Sequence, residues 1–188
     1  MKKSELKTDR FFVADLLKQI IPSYLLALIV MSLYVVIMQY VDHQVNYTAM
    51  FVVAFAILKT FYFTFFTFKQ VNISVKRCHY FTQYLWTFGL LVFLIIFSYS
   101  TDYACLYFTD SQGFYGIKYS QERNFLALLF EFFYFSIVTF ASIGYGDIVP
   151  VSLPAKLLVL LEIGQSFVLV VFGLSNINNI HTLRNNGA

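Results

Sequence analysis

The sequence predicts an all-α integral membrane protein with four transmembrane helices and, before the last of them, a shorter apolar helix that enters the membrane and returns. Of the 188 residues, 59% are hydrophobic and only 12% are charged, which is too apolar for a soluble domain of this length. Four stretches approach or exceed the roughly 18 apolar residues that indicate a membrane crossing. A fifth, residues 124–141, is too short to cross the membrane and return unaided.

The predicted spans end where apolar runs meet polar or basic residues. They are residues 23–41, 47–68, 80–100 and 154–178. Residues 4–21 have apolar side chains at helical spacing with Lys and Arg between them, which predicts an amphipathic helix at the membrane surface before Pro22. The alternative is that these residues simply begin the first transmembrane helix.

The placement of basic residues predicts the orientation. Lys and Arg are concentrated before the first span and after the second, and the short loop between those spans has neither. Because cytoplasmic loops carry the excess of Lys and Arg, both termini are expected in the cytoplasm, with the protein in the plasma or cell membrane. Lys118, Arg123 and Lys156 fall on the outer side, which weakens this bias without reversing it.

The sequence SIGYGD, at residues 142–147, directly follows the short apolar helix. Gly144 and Gly146 have no Cβ, so they can adopt the left-handed angles that turn successive backbone carbonyls to one side. Stacked carbonyls of this kind replace the hydration shell of a cation. Irregular backbone at membrane depth cannot face lipid, because its amides would be unsatisfied. Several copies of the loop are therefore expected to meet on an axis.

This motif resembles the potassium-channel pore loop, whose filter has the pattern TVGYG, as found in small prokaryotic-type channels with one pore loop per chain. Residues 134–136 and Thr139 resemble the end of the pore helix in that family. Residues 147–150 resemble the exit from the filter, and residues 161–165 resemble a pore-lining inner helix. The resemblance covers the last third of the chain, roughly.

The resemblance implies a passive, potassium-selective ion channel, not an enzyme, that assembles as a homotetramer among membrane lipids. The selectivity filter would consist of Ser142, Ile143, Gly144, Tyr145 and Gly146. The carbonyls of the first four, with the Ser142 hydroxyl, would bind potassium, and Asp147 would anchor the outer mouth through hydrogen bonds behind the filter. Potassium is the expected permeant ligand, and no cofactor, nucleic-acid partner or small-molecule substrate is expected.

The predicted spans and the resemblance together divide the chain into four parts. Residues 1–22 would be a cytoplasmic or interfacial segment, and residues 23–79 two additional transmembrane helices. Residues 80–180 would form the pore domain, with an outer helix, the re-entrant pore helix, the filter and an inner helix. Residues 181–188 would be a short cytoplasmic tail.

The chain departs from the family pattern at the start of the filter. Ser142 stands where the family usually has Thr, so a hydroxyl is kept but the methyl group that restricts its rotamer is lost. Ala141 replaces a hydroxyl residue, and Val138 leaves no pore-helix carboxylate behind the filter. Two alternatives therefore stay open: a weakly selective cation channel, and a non-conducting subunit that modifies other channels.

Three further residues in the predicted spans are candidates for gating. Lys59 and Glu162 are charged, and a charge within a span is a functional candidate. Lys59 would be a gating charge or pair with a carboxylate, Glu131 or Glu162; alternatively its role is structural, with the side chain in a protein groove or extended toward the membrane surface. Glu162 would form an acidic ring or bond a neighbouring helix behind the filter. Gly164 would be a hinge; alternatively it permits close helix packing, as Gly173 would.

The cysteines and histidines predict no disulfide and no metal site. Cys78 is expected in a basic loop and Cys105 in the loop before the short helix, on opposite sides of the membrane, so they should not pair. His43, His79 and His181 are expected in solvated loops on both sides.

Overall fold

The computed structural model describes residues 47–77, 81–117 and 125–185. Four helices and two short strands follow one another in this part of the chain: α1 (Tyr47–Arg77), α2 (Phe81–Thr109), β1 (Phe114–Tyr115), α3 (Phe125–Phe140), β2 (Val149–Pro150) and α4 (Leu153–Asn185). The predicted amphipathic segment and first span, together with His43, Cys78 and His79, lie outside the described residues.

Three of the described helices are long and apolar enough to cross a membrane. Their apolar stretches are Ala49–Lys69, Tyr84–Thr109 and Leu153–Ser175. The helix α3 has 16 residues, so it extends about 24 Å at 1.5 Å per residue, short of a roughly 30 Å hydrocarbon core. The predicted short apolar helix before the last span is therefore present, within a residue of its expected bounds.

Three predicted helix ends were too early. The last span, expected to end at residue 178, continues as α4 to Asn185 and includes much of the expected tail. The basic stretch expected as a loop after residue 68 continues α1 as far as Arg77. The polar segment expected after residue 100 begins as nine further residues of α2, which ends at Thr109. Polar residues continue α2 because their side chains are paired inside the protein: Asp102 and Tyr103 are both buried and hydrogen-bonded.

These longer helices also correct two residue placements. Cys105 lies within α2, 1% exposed, and not in a loop. It is a free cysteine. His181 belongs to the helix α4 and not to a loop.

The helix α2 is central to the packing, because, like α4, it contacts the other three described helices. Its large buried side chains include Tyr99 and Tyr103, which are 1% and 0% exposed. The ring of Tyr103 lies 5.1 Å from that of Phe135 on α3 and 5.7 Å from that of Phe114 on β1, centroid to centroid. This aromatic cluster holds the short helix α3 and the strand β1 against the same helix.

Two short strands join the segment before α3 to the segment after it. Phe114 pairs with Pro150 and Tyr115 with Val149, in antiparallel register. After β2 the chain enters α4 through Ser152, whose hydroxyl accepts a hydrogen bond from the amide of Ala155 at 3.4 Å. Ser152 thus caps α4, and Pro154 sits in the first turn, where proline is tolerated.

Candidate functional site

The loop between α3 and β2 has an alternating backbone. Ser142, Gly144 and Gly146 have φ angles of 55°, 62° and 78°, whereas Ile143 and Tyr145 do not have positive φ. In an extended strand successive carbonyls alternate between sides, and a left-handed residue at every second position instead allows them to share one side. The loop therefore has the backbone alternation that a column of carbonyls requires.

Hydrogen bonds at the end of α3 fix the start of this loop. The amide of Ser142 donates to the carbonyl of Thr139 at 2.9 Å, and the amide of Ile143 donates to the carbonyl of Val138 at 3.0 Å. This pair of bonds is a Schellman cap with Ser142 in the left-handed position that glycine usually occupies. The loop thus begins in a defined direction at the carboxyl end of the helix, where the helix dipole is negative.

The loop between α3 and β2 is exposed in the single chain. Residues 141–147 are all exposed, and Ile143 and Tyr145 are 51% and 67% exposed. A Cβ built on Gly144 or Gly146 would meet nothing within 4 Å. The left-handed backbone, and not crowding within the subunit, is therefore what favours glycine at these two positions.

Asp147 is held at the far end of the loop by the helix that precedes it. The Tyr134 hydroxyl on α3 donates a hydrogen bond to the Asp147 carboxylate, which lowers the pKa of Asp147 below its ordinary value and raises the pKa of Tyr134. The amide of Ile148 also donates to Asp147 Oδ1, at 3.0 Å. Sequence reasoning noted Tyr134 only as part of a resemblance and missed this bond, because no spacing rule links the two residues.

Gly116 lets the segment after β1 touch the end of the loop. It has a φ of 96°, and a Cβ built on it would lie 1.8 Å from the carbonyl oxygen of Asp147. A glycine in a polar segment of the sequence indicates a turn and nothing more. A contact between segments this distant in the chain leaves no local pattern, and so the role of Gly116 at the site was missed.

Glu162 on α4 is fully buried and connects three helices. The Tyr103 hydroxyl on α2 donates to Glu162 Oε2 at 2.5 Å. Ser136 Oγ on α3 lies within hydrogen-bond distance of Glu162 Oε1 and, at 3.0 Å, of the Ile96 carbonyl oxygen on α2. The structure thus places this carboxyl group inside its own subunit, in contact with the helix that carries the loop.

Lys59 on α1 forms a buried ion pair with Asp102 on α2. Its Nζ atom also donates to the carbonyl oxygen of Ser98 at 3.2 Å and lies 5.5 Å from the centre of the Tyr99 ring. The expected partners, Glu131 or Glu162, were wrong. Asp102 was assigned to a loop from the sequence, so it was not considered as a partner within the membrane.

The two glycines of α4 differ in their surroundings. A Cβ on Gly173 would lie 2.2 Å from the Phe88 ring, and the Gly173 carbonyl accepts a hydrogen bond from the Tyr84 hydroxyl at 2.7 Å. Gly173 therefore permits close packing of α4 on α2. A Cβ on Gly164 would meet nothing within 4 Å, so close packing within the subunit does not explain that glycine.

Within the described ranges, no group of three or more His, Cys, Asp or Glu residues could hold a metal ion. The loop between α3 and β2 offers backbone oxygens instead, next to helices that are apolar enough to cross a membrane. These features define an integral membrane protein with an ion-channel type of site.

Comparisons with known proteins agree with this class. The family described as "Ion channel" matches residues 91–182. The chain is 34% identical over 92 residues to the two-pore potassium channel 4 of Arabidopsis thaliana, a match that covers 49% of this chain and 30% of the plant protein. It is 41% identical over 66 residues to the potassium channel subfamily T member 1 of Gallus gallus, covering 35% of this chain and 5% of that protein.

The chain is also 41% identical over 66 residues to the human potassium channel subfamily T member 1. The chain thus spans less than a third of the length of each of these relatives. No solved structure matches the chain. Residues 91–182 thus resemble the pore domain of potassium channels, as the sequence predicted, and the relatives they match are ion channels and not enzymes.

Proposed function

We propose that the protein is a passive, potassium-selective ion channel in which four copies bring their 142–146 loops together around one axis. The alternating left-handed φ angles at Ser142, Gly144 and Gly146 carry this proposal. They allow the carbonyls of residues 142–145 to point at a common centre. There the carbonyls would replace the water around a potassium ion, so that the ion enters without losing its coordination.

Assembly follows from the exposure of the loop. A single copy presents a few carbonyls on one side and cannot surround an ion, and its irregular backbone would be unsatisfied if it faced lipid. The exposed side chains of Ile143 and Tyr145 would be covered by neighbouring copies. With one such loop in each chain, closed symmetry makes a homotetramer the simplest arrangement.

In the proposed topology, the chain crosses the membrane four times and α3 re-enters it from the outer side. Residues 80–180 would be the pore domain, with α2 as outer helix, α3 as pore helix and α4 as inner helix, preceded by two additional helices. The protein would lie in the plasma membrane with both termini in the cytoplasm, as the distribution of Lys and Arg favours. Asp147 would then lie at the outer mouth, tied to α3 by Tyr134.

For gating, we propose Gly164 as the hinge of the inner helix. No atom of another helix lies within 4 Å of a Cβ built at this position, which leaves room for the backbone to change direction. Lys59 and Glu162 would act on gating only through the helices they join, because both side chains are enclosed by the subunit.

The proposal is tested by ion flux through the purified protein in liposomes. A potassium flux that exceeds the sodium flux and is blocked by barium supports it. Equal potassium and sodium fluxes would instead indicate a weakly selective cation channel. No flux from a verified tetramer would contradict conduction and favour a subunit that modifies other channels.

The first filter residue is tested in the same assay. Ser142→Thr keeps a hydroxyl at the innermost position, whereas Ser142→Ala removes it and leaves the carbonyls. The alanine variant should have a lower potassium-to-sodium flux ratio than the threonine variant. Equal ratios would show that the side-chain oxygen does not contribute to ion binding.

A further inference from the structure

The buried cluster of Glu162, Ser136 and Tyr103 has too few donor protons if Glu162 is ionised. Ser136 has one hydroxyl proton, yet its oxygen lies near both Glu162 Oε1 and the Ile96 carbonyl oxygen. If Glu162 is ionised, a single proton must serve both acceptors. If Glu162 carries a proton, it donates to Ser136, and Ser136 donates to Ile96.

The surroundings also favour the protonated form. Glu162 is 0% exposed, and burial of an ionised carboxylate without a partner charge is so unfavourable that such groups usually become neutral. The nearby cation, Lys59, is already in an ion pair with Asp102. The Tyr103 hydroxyl donates to the second carboxyl oxygen at 2.5 Å, which a carboxylic acid accepts through its carbonyl oxygen.

We propose that Glu162 is a neutral carboxylic acid and a positioning residue for the selectivity filter, which it acts on by fixing α3 against α2 and α4 through Ser136. This inference rests on the proposed function, since it assigns a consequence for ion selection. Ser136 belongs to the same short helix whose Schellman cap sets the direction of the loop. A rotation of α3 would therefore move the carbonyls of the loop.

A purely space-filling role would not need these groups. Apolar residues of similar volume pack a buried site as well as a polar cluster does, and often with higher stability. A hydrogen-bonded carboxylic acid instead selects one rotation of α3, because three hydrogen bonds must align along the series Tyr103, Glu162, Ser136 and Ile96.

The experiment compares two serine-to-alanine variants. Ser136 and Ser100 are both 0% exposed. Ser136 lies in the cluster, whereas Ser100 Oγ has no hydrogen-bond partner among the described residues. Ser136→Ala should lower the potassium-to-sodium flux ratio of the tetramer in liposomes about tenfold, the equivalent of one buried hydrogen bond of roughly 1.4 kcal/mol. The matched Ser100→Ala control should leave this ratio unchanged.

Two substitutions of Glu162 test its protonation state. Gln reproduces a neutral acid, since its amide donates to Ser136 and its carbonyl accepts from Tyr103, so Glu162→Gln should keep the wild-type flux ratio. Glu162→Leu removes both bonds and should lower the ratio as Ser136→Ala does. Infrared difference spectra of wild type and Glu162→Gln should show a carboxylic-acid carbonyl band that is present only in the wild type.

The outcomes separate this inference from the proposed function. Absence of potassium flux in the wild type would overturn the proposed function and the inference with it. A selective wild type with an unchanged flux ratio in Ser136→Ala would overturn the inference alone, even if thermal stability fell. Loss of selectivity in Glu162→Gln, or absence of the acid band, would show that Glu162 is ionised. If Glu162→Leu does not assemble, Ser136→Ala and Glu162→Gln still decide the question.

Discussion

Asp147 and Tyr134 make one residue-level contact that should be visible as a pH effect. The Tyr134 hydroxyl, with a smaller contribution from the Ile148 amide, lowers the pKa of Asp147 from its ordinary value of 3.8. A carboxyl group with a lowered folded pKa stabilises the fold at pH values above its unfolded pKa. That stabilisation is lost as the pH falls through the lowered folded pKa.

Tyr134→Phe removes the main donor, so the pKa of Asp147 should rise toward its ordinary value. Acidification of the outer solution should then abolish potassium flux at a higher pH in Tyr134→Phe than in the wild type. The exposed Tyr115, which lies nearby on β1, provides a control with the same chemical change, and Tyr115→Phe should follow the wild-type curve. If potassium flux depended on the outer pH in the same way in all three proteins, the hydrogen bond between Tyr134 and Asp147 would be contradicted.

Gly116 provides a second residue-level prediction. Gly116→Ala would place a Cβ 1.8 Å from the Asp147 carbonyl oxygen at a φ of 96°. The left-handed backbone alone should lower the free energy of unfolding by about 1–2 kcal/mol, and the overlap should shift the filter exit and reduce potassium flux. Gly89 lies in α2 with nothing within 4 Å of a built Cβ, so Gly89→Ala should leave both flux and thermal stability near wild type or slightly improved.

Some of the residues at the site could be predicted from the sequence, and others could not. Gly144 and Gly146 could be predicted as left-handed because a known backbone pattern requires it, and both have positive φ. Tyr134 and Gly116 depend on which distant segments touch, and the sequence has no local signal for that. The same holds for Asp102, whose place in a helix became clear only with its partner Lys59.

At the scale of elements, the ion pair between Lys59 and Asp102 joins α1 to α2. Their side chains are 7% and 2% exposed. Removal of one partner leaves a buried charge without compensation, which typically lowers stability by about 3–5 kcal/mol, whereas replacement of both charges is often neutral.

Lys59→Met should therefore lower the thermal unfolding temperature of the detergent-solubilised protein strongly. The double variant Lys59→Met/Asp102→Asn should recover most of the loss. Circular dichroism on heating would measure both. If the single variant were as stable as the double variant, Asp102 would not depend on Lys59 for its charge, and the pair would not hold α1 in place.

The helices themselves were easier to predict than their ends. Apolar runs predicted the existence of α1, α2, α3 and α4, because burial in lipid or protein dominates their sequences. The ends of α1 and α2 were set too early, because polar residues were interpreted as solvated. In α2 the polar side chains of Tyr99, Asp102 and Tyr103 face partners on α1 and α4, and the helix continues.

At the scale of the whole molecule, the described residues divide into an interior whose charged side chains are paired or hydrogen-bonded and an exposed loop. Glu162, Asp102 and Lys59 are enclosed, whereas residues 141–147 are exposed. Such a subunit leaves its loop uncovered. The proposed tetramer would complete the loop, with potassium as the ligand that four copies share.

Potassium should therefore stabilise the assembled protein. A ligand that binds only the folded assembly raises stability by RT ln(1 + [L]/Kd), about 2.7 kcal/mol at 100 times Kd. The thermal dissociation temperature of the tetramer should be several degrees higher in potassium than in sodium at equal ionic strength. Gly144→Ala, which places a Cβ at a φ of 62°, should abolish this difference, whereas Gly89→Ala should retain it. A tetramer equally stable in both salts, or a potassium effect that survives in Gly144→Ala, would show that the loops do not form a shared ion site.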